Sequence, residues 1–372
     1  MKSLLFQIYI LIIAFNICLS SFQASLFQKM NKEFRNKNLI ISPLSAFQIL
    51  SLTAHGAKGK TLEEIILALS CKDINELNEI NIRIYDKAKK FSSIEMANAV
   101  MTAFTPEPKF TSMAYFYRST VEALRDVDQV NNWCNIKTHG KIAKIIDEIE
   151  PNTMMILLNA IYFKGTWYKQ FDPKYTKKLN FYNFGEEKNG VMVDMMNIIE
   201  KFNYFENDYL QAIEIPFSTD SASAIILLPR EYIDINNFII KLDEEKINNY
   251  INEMFPYNVE LNLPKFELEF SSELNNALQR LGMEEAFDAG KANLTGMRKE
   301  GGIYISKVIQ KTYLKVDENG AEAAAITSVI VNTKSGNKKI RMNINRPFIM
   351  ILKSKELPKN NDILFMAKIE EL

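Results

Sequence analysis

The stretch TMMILLNAIYFKGTW, residues 153–167, is apolar at nearly every position from Met154 to Phe163. A strand with one face in water alternates apolar and polar residues, whereas a run that is apolar at odd and even positions alike indicates burial of both faces. Such strands lie in the interior of a sheet that is covered on both sides. We therefore predict that this stretch forms a central strand.

Helical patterns come before this strand, and strand patterns dominate after it. Residues 22–35 place apolar side chains on one helical stripe, residues 45–55 are typical of a buried helix, and a helical pattern runs from Val130 to residue 150 with a break at Gly140. The later strand patterns are LQAIEIPF, SASAIILLP, NVELNLPKFELEF interrupted by Pro264, GIYISKVIQKTYLKVDE, and the final hairpin pair RPFIMILKSK and ILFMAKI. Strands and helices do not alternate, so the predicted class is α+β in a single domain.

The composition excludes several classes of protein. Hydrophobic residues make up 47% of the 372 residues, which is ample for a sizeable core, and 45 basic residues balance 45 acidic ones. Without a basic surplus, a general nucleic-acid binder is not expected. Beyond Cys18, the spacing of Cys71 and Cys134 leaves both a disulfide and two free thiols open, and no metal-ligand cluster is predicted.

The first 20 residues have the pattern of a signal peptide. One Lys precedes an apolar stretch from Leu4 to Leu19, and two serines follow it. A membrane anchor is the alternative, although the stretch is slightly short for a span. We therefore expect a secreted, extracellular protein with no membrane association, in which Asn293 of the sequon NLT is a candidate for glycosylation.

The sequence offers little for catalysis. Nucleophilic catalysis requires a base beside the nucleophile, and His55 and His139 are the only two histidines. The chain has no G-x-S-x-G elbow, and GAKGKT lacks the spacing of a phosphate loop. The prediction is that the protein is not an enzyme. A hydrolase that depends on His55 is an alternative with little support in the sequence.

The segment GAEAAAITSVIV, residues 320–331, is compatible with two conformations. Its first half favours helix or coil, whereas its second half is β-branched. In a strand, one face would carry no charge: Ala321, Ala323, Ala325, Thr327, Val329, Val331 and Thr333. The opposite face would hold Glu322, Ala324, Ile326, Ser328, Ile330, Asn332 and Lys334. The first face suits burial between other strands, although an ordinary edge strand is an alternative.

Several blocks, in order along the chain, resemble the serpin family of proteinase inhibitors. They are NLIISPLSAFQILSLTAHGAKGKTLEEI, LLNAIYFKGTW, LPKFELE, LGMEEAFD, ANLTGM, VDENGAEAAAIT, NINRPFIMILK and DILFMAKI. The resemblance implies a serpin fold over residues 21–372, with three β-sheets, eight to nine helices and an exposed reactive-centre loop at about residues 318–340. It also implies a monomer without a cofactor, which forms a covalent complex with its target protease.

In inhibitory members, the resemblance implies that a protease cleaves the loop, forms an acyl-enzyme and is trapped when the loop inserts into the main sheet. The specificity residue usually lies sixteen positions after the acidic residue that begins the hinge. Counting from Glu318 gives Lys334, so the expected scissile bond is Lys334–Ser335 and the expected target is a trypsin-like serine protease. Lys338, Lys339 and Arg341 are competing positions. The hinge residues are Glu318, Gly320, Ala321, Glu322, Ala323, Ala324, Ala325, Ile326 and Thr327.

The same resemblance assigns a polar cluster beneath the opening sheet to Ser42, Ser45 and Asn159, and places Trp167 where insertion begins. Gln310 stands where family members often carry His; a glutamine can donate and accept but cannot titrate. Ala321 and Ile326 also differ from the residues common at their positions, which bears on the rate of insertion. A non-inhibitory serpin serving as a binding or storage module is the alternative.

Overall fold

A computed structural model describes residues 21–88, 94–163, 165–218, 222–321, 340–357 and 361–372. Within these ranges the chain forms nine α-helices and sixteen strands. The helices are α1 (Phe22–Glu33), α2 (Pro43–Ala54), α3 (Gly59–Ala68), α4 (Ile74–Ala88), α5 (Pro108–Phe116), α6 (Val127–Lys137), α7 (Ile235–Ile240), α8 (Glu244–Asn252) and α9 (Asn275–Gln279). The described helices agree with the expected eight or nine.

The strands divide among three sheets, as predicted. They are β1 (Leu39–Ile41), β2 (Ile94–Thr102), β3 (Thr120–Ala123), β4 (Met155–Phe163), β5 (Gly165–Thr166), β6 (Lys177–Tyr182), β7 (Gly190–Glu206), β8 (Leu210–Pro216), β9 (Ala222–Pro229), β10 (Phe255–Pro264), β11 (Phe266–Glu273), β12 (Lys307–Val316), β13 (Gly320–Ala321), β14 (Ile340–Asn343), β15 (Phe348–Ser354) and β16 (Ile363–Ile369). A nine-stranded sheet has the order β1-β16-β15-β9-β8-β7-β10-β14, with β6 on β7. The five-stranded sheet β11-β12-β4-β2-β3 is called the main sheet below, and β13 pairs with β5.

The strand predicted to be central is central. All nine residues of β4 are buried, and β4 lies between β12 and β2 in the main sheet. It runs parallel to β12, from the pair Lys307 and Ile156 to the pair Tyr313 and Tyr162, and antiparallel to β2. Burial on both faces accounts for the unbroken apolar run.

Two different sets of apolar side chains cover the faces of β4. Leu157, Ile161 and Phe163 belong to the large core that also contains α2. Ile156, Leu158, Ala160 and Tyr162 pack into a second cluster with α6 and the segment that follows it. The helix α2 is itself buried at all twelve positions, and the side-chain oxygen of Ser42 caps it by accepting from the Ser45 amide (3.3 Å).

The helical pattern that was predicted to continue past Gly140 ends earlier. α6 stops at Lys137, because His139 (φ 51°) and Gly140 (φ 80°) adopt left-handed backbone conformations that end a right-handed helix. The following segment is irregular and is tied back to α6 by Asn131. Its amide oxygen accepts from the backbone N–H groups of Ile145 and Ile146 (2.8 and 3.0 Å). That part of the helix prediction was wrong.

The stretch around Pro264 forms strands in two sheets. β10 ends at Pro264 in the nine-stranded sheet, and β11 begins at Phe266 in the main sheet. The predicted interruption is therefore confirmed, and Lys265 lies at the crossing between the two sheets. The pattern SSELNNALQRLGM, residues 271–283, predicts a helix after these strands, but α9 spans only Asn275–Gln279.

Cys71 and Cys134 are buried free thiols, so the disulfide alternative is excluded. Burial raises the pKa of each thiol to about 12, which keeps both protonated at neutral pH. Among the described residues, no group of His, Cys, Asp and Glu side chains is arranged to hold a metal ion. No helix in the described ranges is long and apolar enough to cross a membrane.

Candidate functional site at the hinge of the main sheet

The chain leaves β12 through a tight turn from Asp317 to Gly320. The Asp317 carboxylate accepts hydrogen bonds from the backbone N–H groups of Asn319 (2.9 Å) and Gly320 (3.3 Å), and the Asp317 N–H donates to the Gly320 carbonyl (2.9 Å). Asp favours such turns because its side chain bonds the backbone two residues on. The turn sends the chain back toward the main sheet.

The first residues after the turn already form a short antiparallel pair. Gly320 pairs with Thr166, and Ala321 pairs with Gly165, where β5 follows β4 along the chain. Since β4 and β12 are parallel to each other, a strand that continued from β13 between them would run antiparallel to both. At Ala321 the backbone is thus directed toward the junction of β4 and β12.

The pairing requires glycine at position 320, and the aromatic packing beside it requires glycine at position 165. Gly320 has a φ of +141°, and a Cβ there would lie 2.0 Å from the Gly165 carbonyl oxygen. A Cβ on Gly165 would meet the Phe163 ring at 2.6 Å. The two backbones approach each other more closely than any side chain permits.

Trp167 holds the turn in place. Its indole is 1% exposed and stacks on Phe217, with ring centroids 4.6 Å apart and an interplanar angle of 9°. The indole N–H donates to the Asp317 carbonyl (2.9 Å), and the Trp167 backbone N–H donates to the Asn319 carbonyl (2.9 Å). The aromatic side chain predicted to lie where insertion begins therefore contacts the hinge directly.

Glu318 is buried in the middle of the turn, where Lys265 neutralises it. One carboxylate oxygen lies 2.8 Å from the Lys265 ammonium, and the other accepts from the Thr176 hydroxyl at 2.8 Å. Burial opposes ionisation, but these two bonds outweigh it and hold the pKa of Glu318 below its usual value. Lys265 and Thr176 were not identified from the sequence, because no local pattern indicates partners so distant along the chain.

A row of amide side chains crosses the main sheet below the hinge. Gln310 on β12, Asn159 on β4 and Asn98 on β2 occupy matching register positions. Gln310 donates to the Asn159 oxygen (2.7 Å), and Asn159 donates to the Asn98 oxygen (2.5 Å) and to the Ser45 hydroxyl. The resemblance had assigned Ser45, Asn159 and Gln310, and the structure adds Asn98.

Gln310 also joins β12 to the start of α2. Its Oε1 accepts from the Ser42 backbone N–H (2.7 Å), and its Nε2 donates to the Ser42 carbonyl (2.9 Å). The Ser42 hydroxyl donates to the Leu364 carbonyl of β16 (2.7 Å). Ser42, Ser45, Asn159 and Gln310 are all at most 1% exposed, so breaking these bonds leaves polar groups unsatisfied in the core. The cluster therefore holds β4 and β12 together.

Some predicted positions lie elsewhere or outside the described residues. Glu322, Ala323, Ala324, Ala325, Ile326, Thr327, Lys334 and Ser335 are all outside them. Asn293 is not part of the hinge and is partly buried; its side-chain oxygen accepts from the Thr295 hydroxyl (2.8 Å), and its glycosylation stays a prediction. His55 contacts Asn78 (2.8 Å) and the Tyr117 hydroxyl (3.2 Å), and burial lowers its pKa despite the bond to Asn78.

Comparison with known families assigns the chain. The family model described as Serpin (serine protease inhibitor) matches residues 18–372. The chain belongs to the serpin family. Human Serpin B8 is 31% identical over 365 residues, which cover 94% of this chain and 96% of that protein. Leukocyte elastase inhibitor of Xenopus tropicalis is 32% identical, covering 89% of this chain and 93% of that protein.

Solved structures agree with this fold. Native tengpin, a thermophilic serpin, superposes on this serpin with a TM-score of 0.83 at 29% identity, covering 95% of this chain and 93% of tengpin. Human thyroxine-binding globulin, solved with thyroxine, gives a TM-score of 0.84 at 23% identity, covering 95% of this chain and 97% of its own. The second likeness shows the fold alone.

The prediction that this serpin is secreted is wrong. Serpin B8, leukocyte elastase inhibitor and intracellular coagulation inhibitor 2 of Tachypleus tridentatus, which is 30% identical over 90% of this chain and 86% of its own, point away from secretion. The prediction rested on the apolar run of residues 4–19, which lies outside the described residues. Hydrophobicity by itself does not distinguish an export signal from an apolar segment with another role.

Replacing Gly320 with alanine is expected to open the pair between β13 and β5. A residue with a side chain rarely adopts a φ of +141° and pays about 1–3 kcal/mol to do so, and here the new Cβ also collides with the Gly165 carbonyl. Gly282→Ala is the matched control, because Gly282 also has a positive φ (+95°) but nothing within 4 Å of its added Cβ. The midpoint temperature of thermal unfolding should fall further for Gly320→Ala than for Gly282→Ala. Equal falls would contradict the close approach.

Replacing Gln310 with histidine should make stability depend on pH. A neutral imidazole can accept from the Ser42 N–H and donate to Asn159, whereas a protonated one cannot accept. The pKa of the buried histidine should therefore fall below its usual value of about 6.5, so stability present at pH 7.5 is lost as pH falls. The loss should reach about 1.4 kcal/mol at pH 5.5 relative to the natural protein.

Thermal unfolding of the Gln310→His variant and the natural protein at both pH values measures this difference. Gln310→Met is the control, because it removes the same bonds without a titrating group and should be destabilised equally at both pH values. A Gln310→His variant that behaves like Gln310→Met would show that the residue does not need to accept the Ser42 N–H.

Proposed function

We propose that this serpin inhibits trypsin-like serine proteases as a suicide substrate that is cleaved at Lys334–Ser335. The cleaved segment would then insert between β4 and β12 and carry the acyl-enzyme with it. Family membership supports protease inhibition in general. The target class, the scissile bond and the insertion path are the parts that we add.

The observation that carries the proposal is the pairing of the hinge. β13 already lies antiparallel to β5 at the end of β4, and the parallel pair of β4 and β12 is the neighbouring junction of the main sheet. Insertion would replace one parallel interface by two antiparallel ones, and antiparallel pairing is slightly more stable per residue. The segment from Ala321 to Lys334 is longer than β12, so it can extend along the whole strand.

The polar cluster sets the barrier to this change. Separating β4 from β12 breaks the hydrogen bond between Gln310 and Asn159, and each buried amide then lacks one of its hydrogen-bond partners. An inserted backbone brings its own N–H and C=O groups to the same place, so the amides can be satisfied again after insertion. The bond between Gln310 and Asn159 thus keeps β4 and β12 together before cleavage. After insertion, neither amide would be left unsatisfied.

Lys334 supports a trypsin-like target, because proteases of that class have an acidic specificity pocket for Lys or Arg. Arg341, a competing position, is a poor substrate residue. It lies within β14, which pairs with β10, and its carbonyl accepts from the Gln211 side chain (3.3 Å). A protease binds an extended segment whose backbone is not already paired, and the backbone of Arg341 is paired within the sheet. Lys334 therefore remains the better candidate.

We also infer that this serpin is not a catalyst, because the described partners of His55 are Asn78 and Tyr117 and include no serine or cysteine nucleophile. A non-inhibitory role as a binding or storage module remains the second candidate. The departures at Ala321 and Ile326 favour it, since they lie in the part of the hinge that must insert.

Mixing the protein with trypsin should give an adduct that survives denaturing electrophoresis. Lys334→Ala should abolish this adduct, because an alanine does not fill the acidic pocket. Lys338→Ala is the matched control and should leave the adduct unchanged. Cleavage without any adduct would support the non-inhibitory role instead. An adduct that is lost in Lys338→Ala would indicate that the cleaved bond follows Lys338.

Ala325→Glu should convert the inhibitor into a substrate. The carboxylate would lie on the uncharged face that is proposed to be buried, at a cost of several kcal/mol. Ala324→Glu is the matched control, because it makes the same change one residue earlier on the opposite face. The number of inhibitor molecules consumed per trypsin inhibited should rise strongly only for Ala325→Glu. Equal effects would contradict the assignment of faces.

A further inference from the structure

A cleft of about 400 Å³ opens where β8, the turn after β9 and the chain from β14 onward meet. Among the described residues, three arginines line it, Arg230, Arg341 and Arg346, together with one acidic residue, Glu231. The lining is therefore cationic, on a chain whose net charge is zero. None of these groups contributes to the hinge or to the polar cluster of the main sheet.

Arg346 is the deepest of the three cations. Its side chain is only 13% exposed, and its Nε donates to the Pro229 carbonyl (3.0 Å) while Nη1 donates to Asn345 (3.3 Å). The acidic group paired with it, on Glu231, is 3.9 Å away and largely in water. Nη2 of Arg346 donates to none of the residues that the structure describes.

Arg230 is fixed in a similar way. Its Nε and Nη2 donate to the Asn207 carbonyl (2.9 and 2.8 Å), and Nη2 also donates to Glu206 (2.9 Å). No bond to a described residue involves its Nη1. Burial lowers the pKa of Arg346; Glu231 opposes this effect and Arg230 adds to it. Two guanidinium groups therefore line the same cleft, and part of the charge of each is offset by one carboxylate, Glu206 for Arg230 and Glu231 for Arg346.

We propose that this cleft binds the phosphate group of a small phosphorylated molecule, between the guanidinium groups of Arg230 and Arg346. Guanidinium groups bind phosphate through paired, charge-assisted hydrogen bonds, and backbone carbonyls hold these two in place before a ligand arrives. The cleft volume is within the range of small-molecule sites. Side-chain amides of Gln211, Asn343 and Asn345 also line it and can bind hydroxyl groups of the ligand.

The surrounding charges favour a compact anion over a long polyanion. Arg230 is bonded to Glu206, Arg341 is bonded to Glu260 (3.3 Å), and Glu231 stands at the rim. A polyanion that extended across the cleft would meet all three carboxylates, whereas a single phosphate can lie between the two guanidinium groups that backbone carbonyls hold in place. The site does not depend on the proposed inhibitory function, because no hinge residue takes part.

Calorimetric titration with inorganic phosphate at constant ionic strength tests the proposal. We expect saturable binding of one phosphate, about tenfold weaker for Arg230→Gln and unchanged for Arg280→Gln. Arg280 is the matched control, an arginine paired with Glu33 outside the cleft (2.6 Å). Glycerol 3-phosphate should bind more tightly than inorganic phosphate, since the amides can contact its hydroxyls.

Glu231→Gln gives an independent test that does not threaten folding, because this side chain is largely exposed. Removing the carboxylate that competes for Arg346 should strengthen phosphate binding severalfold. Absence of saturable binding, an unchanged affinity in Glu231→Gln, or equal weakening in Arg280→Gln would overturn the proposal. So would tighter binding of long-chain polyphosphate, per phosphate, than of inorganic phosphate, which would indicate an extended polyanion.

Discussion

The parallel pairing of β4 with β12 is the constraint on which the rest of this serpin depends. The two strands are neighbours although they are far apart in the sequence, and both faces of β4 are covered by separate apolar clusters. The chain that leaves β12 turns back through residues 317–320 and pairs with the continuation of β4. The proposed insertion would give this junction a second arrangement, in which the segment after Ala321 separates the two strands.

Polar groups hold this junction in the arrangement that we describe. The row of Gln310, Asn159 and Asn98 crosses three strands, and Ser42 links it to α2 and β16. At the end of the same strands, Trp167 and the ion pair of Glu318 with Lys265 fix the turn. Apart from Lys265, whose side chain is 36% exposed, these groups are buried, so each of their bonds is costly to break unless another partner replaces it. These bonds cross or border the junction at which we propose insertion, so losing them would weaken the pairing of β4 with β12.

Much of this fold could be predicted from the sequence, and the failures have physical causes. The buried strand β4, the paired strands β8 and β9 and the hairpin of β15 and β16 followed from apolar patterns, which burial imposes directly. The helix expected past Gly140 does not form, since two left-handed residues end α6 and Asn131 holds the following segment instead. At the site, family motifs identified Ser42, Ser45, Asn159, Trp167 and Gln310. Lys265, Thr176 and Asn98 carry no local signal, because their roles arise only from strand register and sheet crossing.

The sequence by itself determined the α+β class and the membership in the serpin family, since these depend on residue type and spacing. The sequence led to a wrong prediction of secretion, because the hydrophobicity of an apolar run does not by itself specify export. Only the tertiary structure decided that Cys71 and Cys134 stay unpaired, that Gly320 must lack a side chain, and that Arg230 and Arg346 share one cleft. Each of these is a matter of distance between residues remote along the chain, and such distances are set only when the sheets pack together.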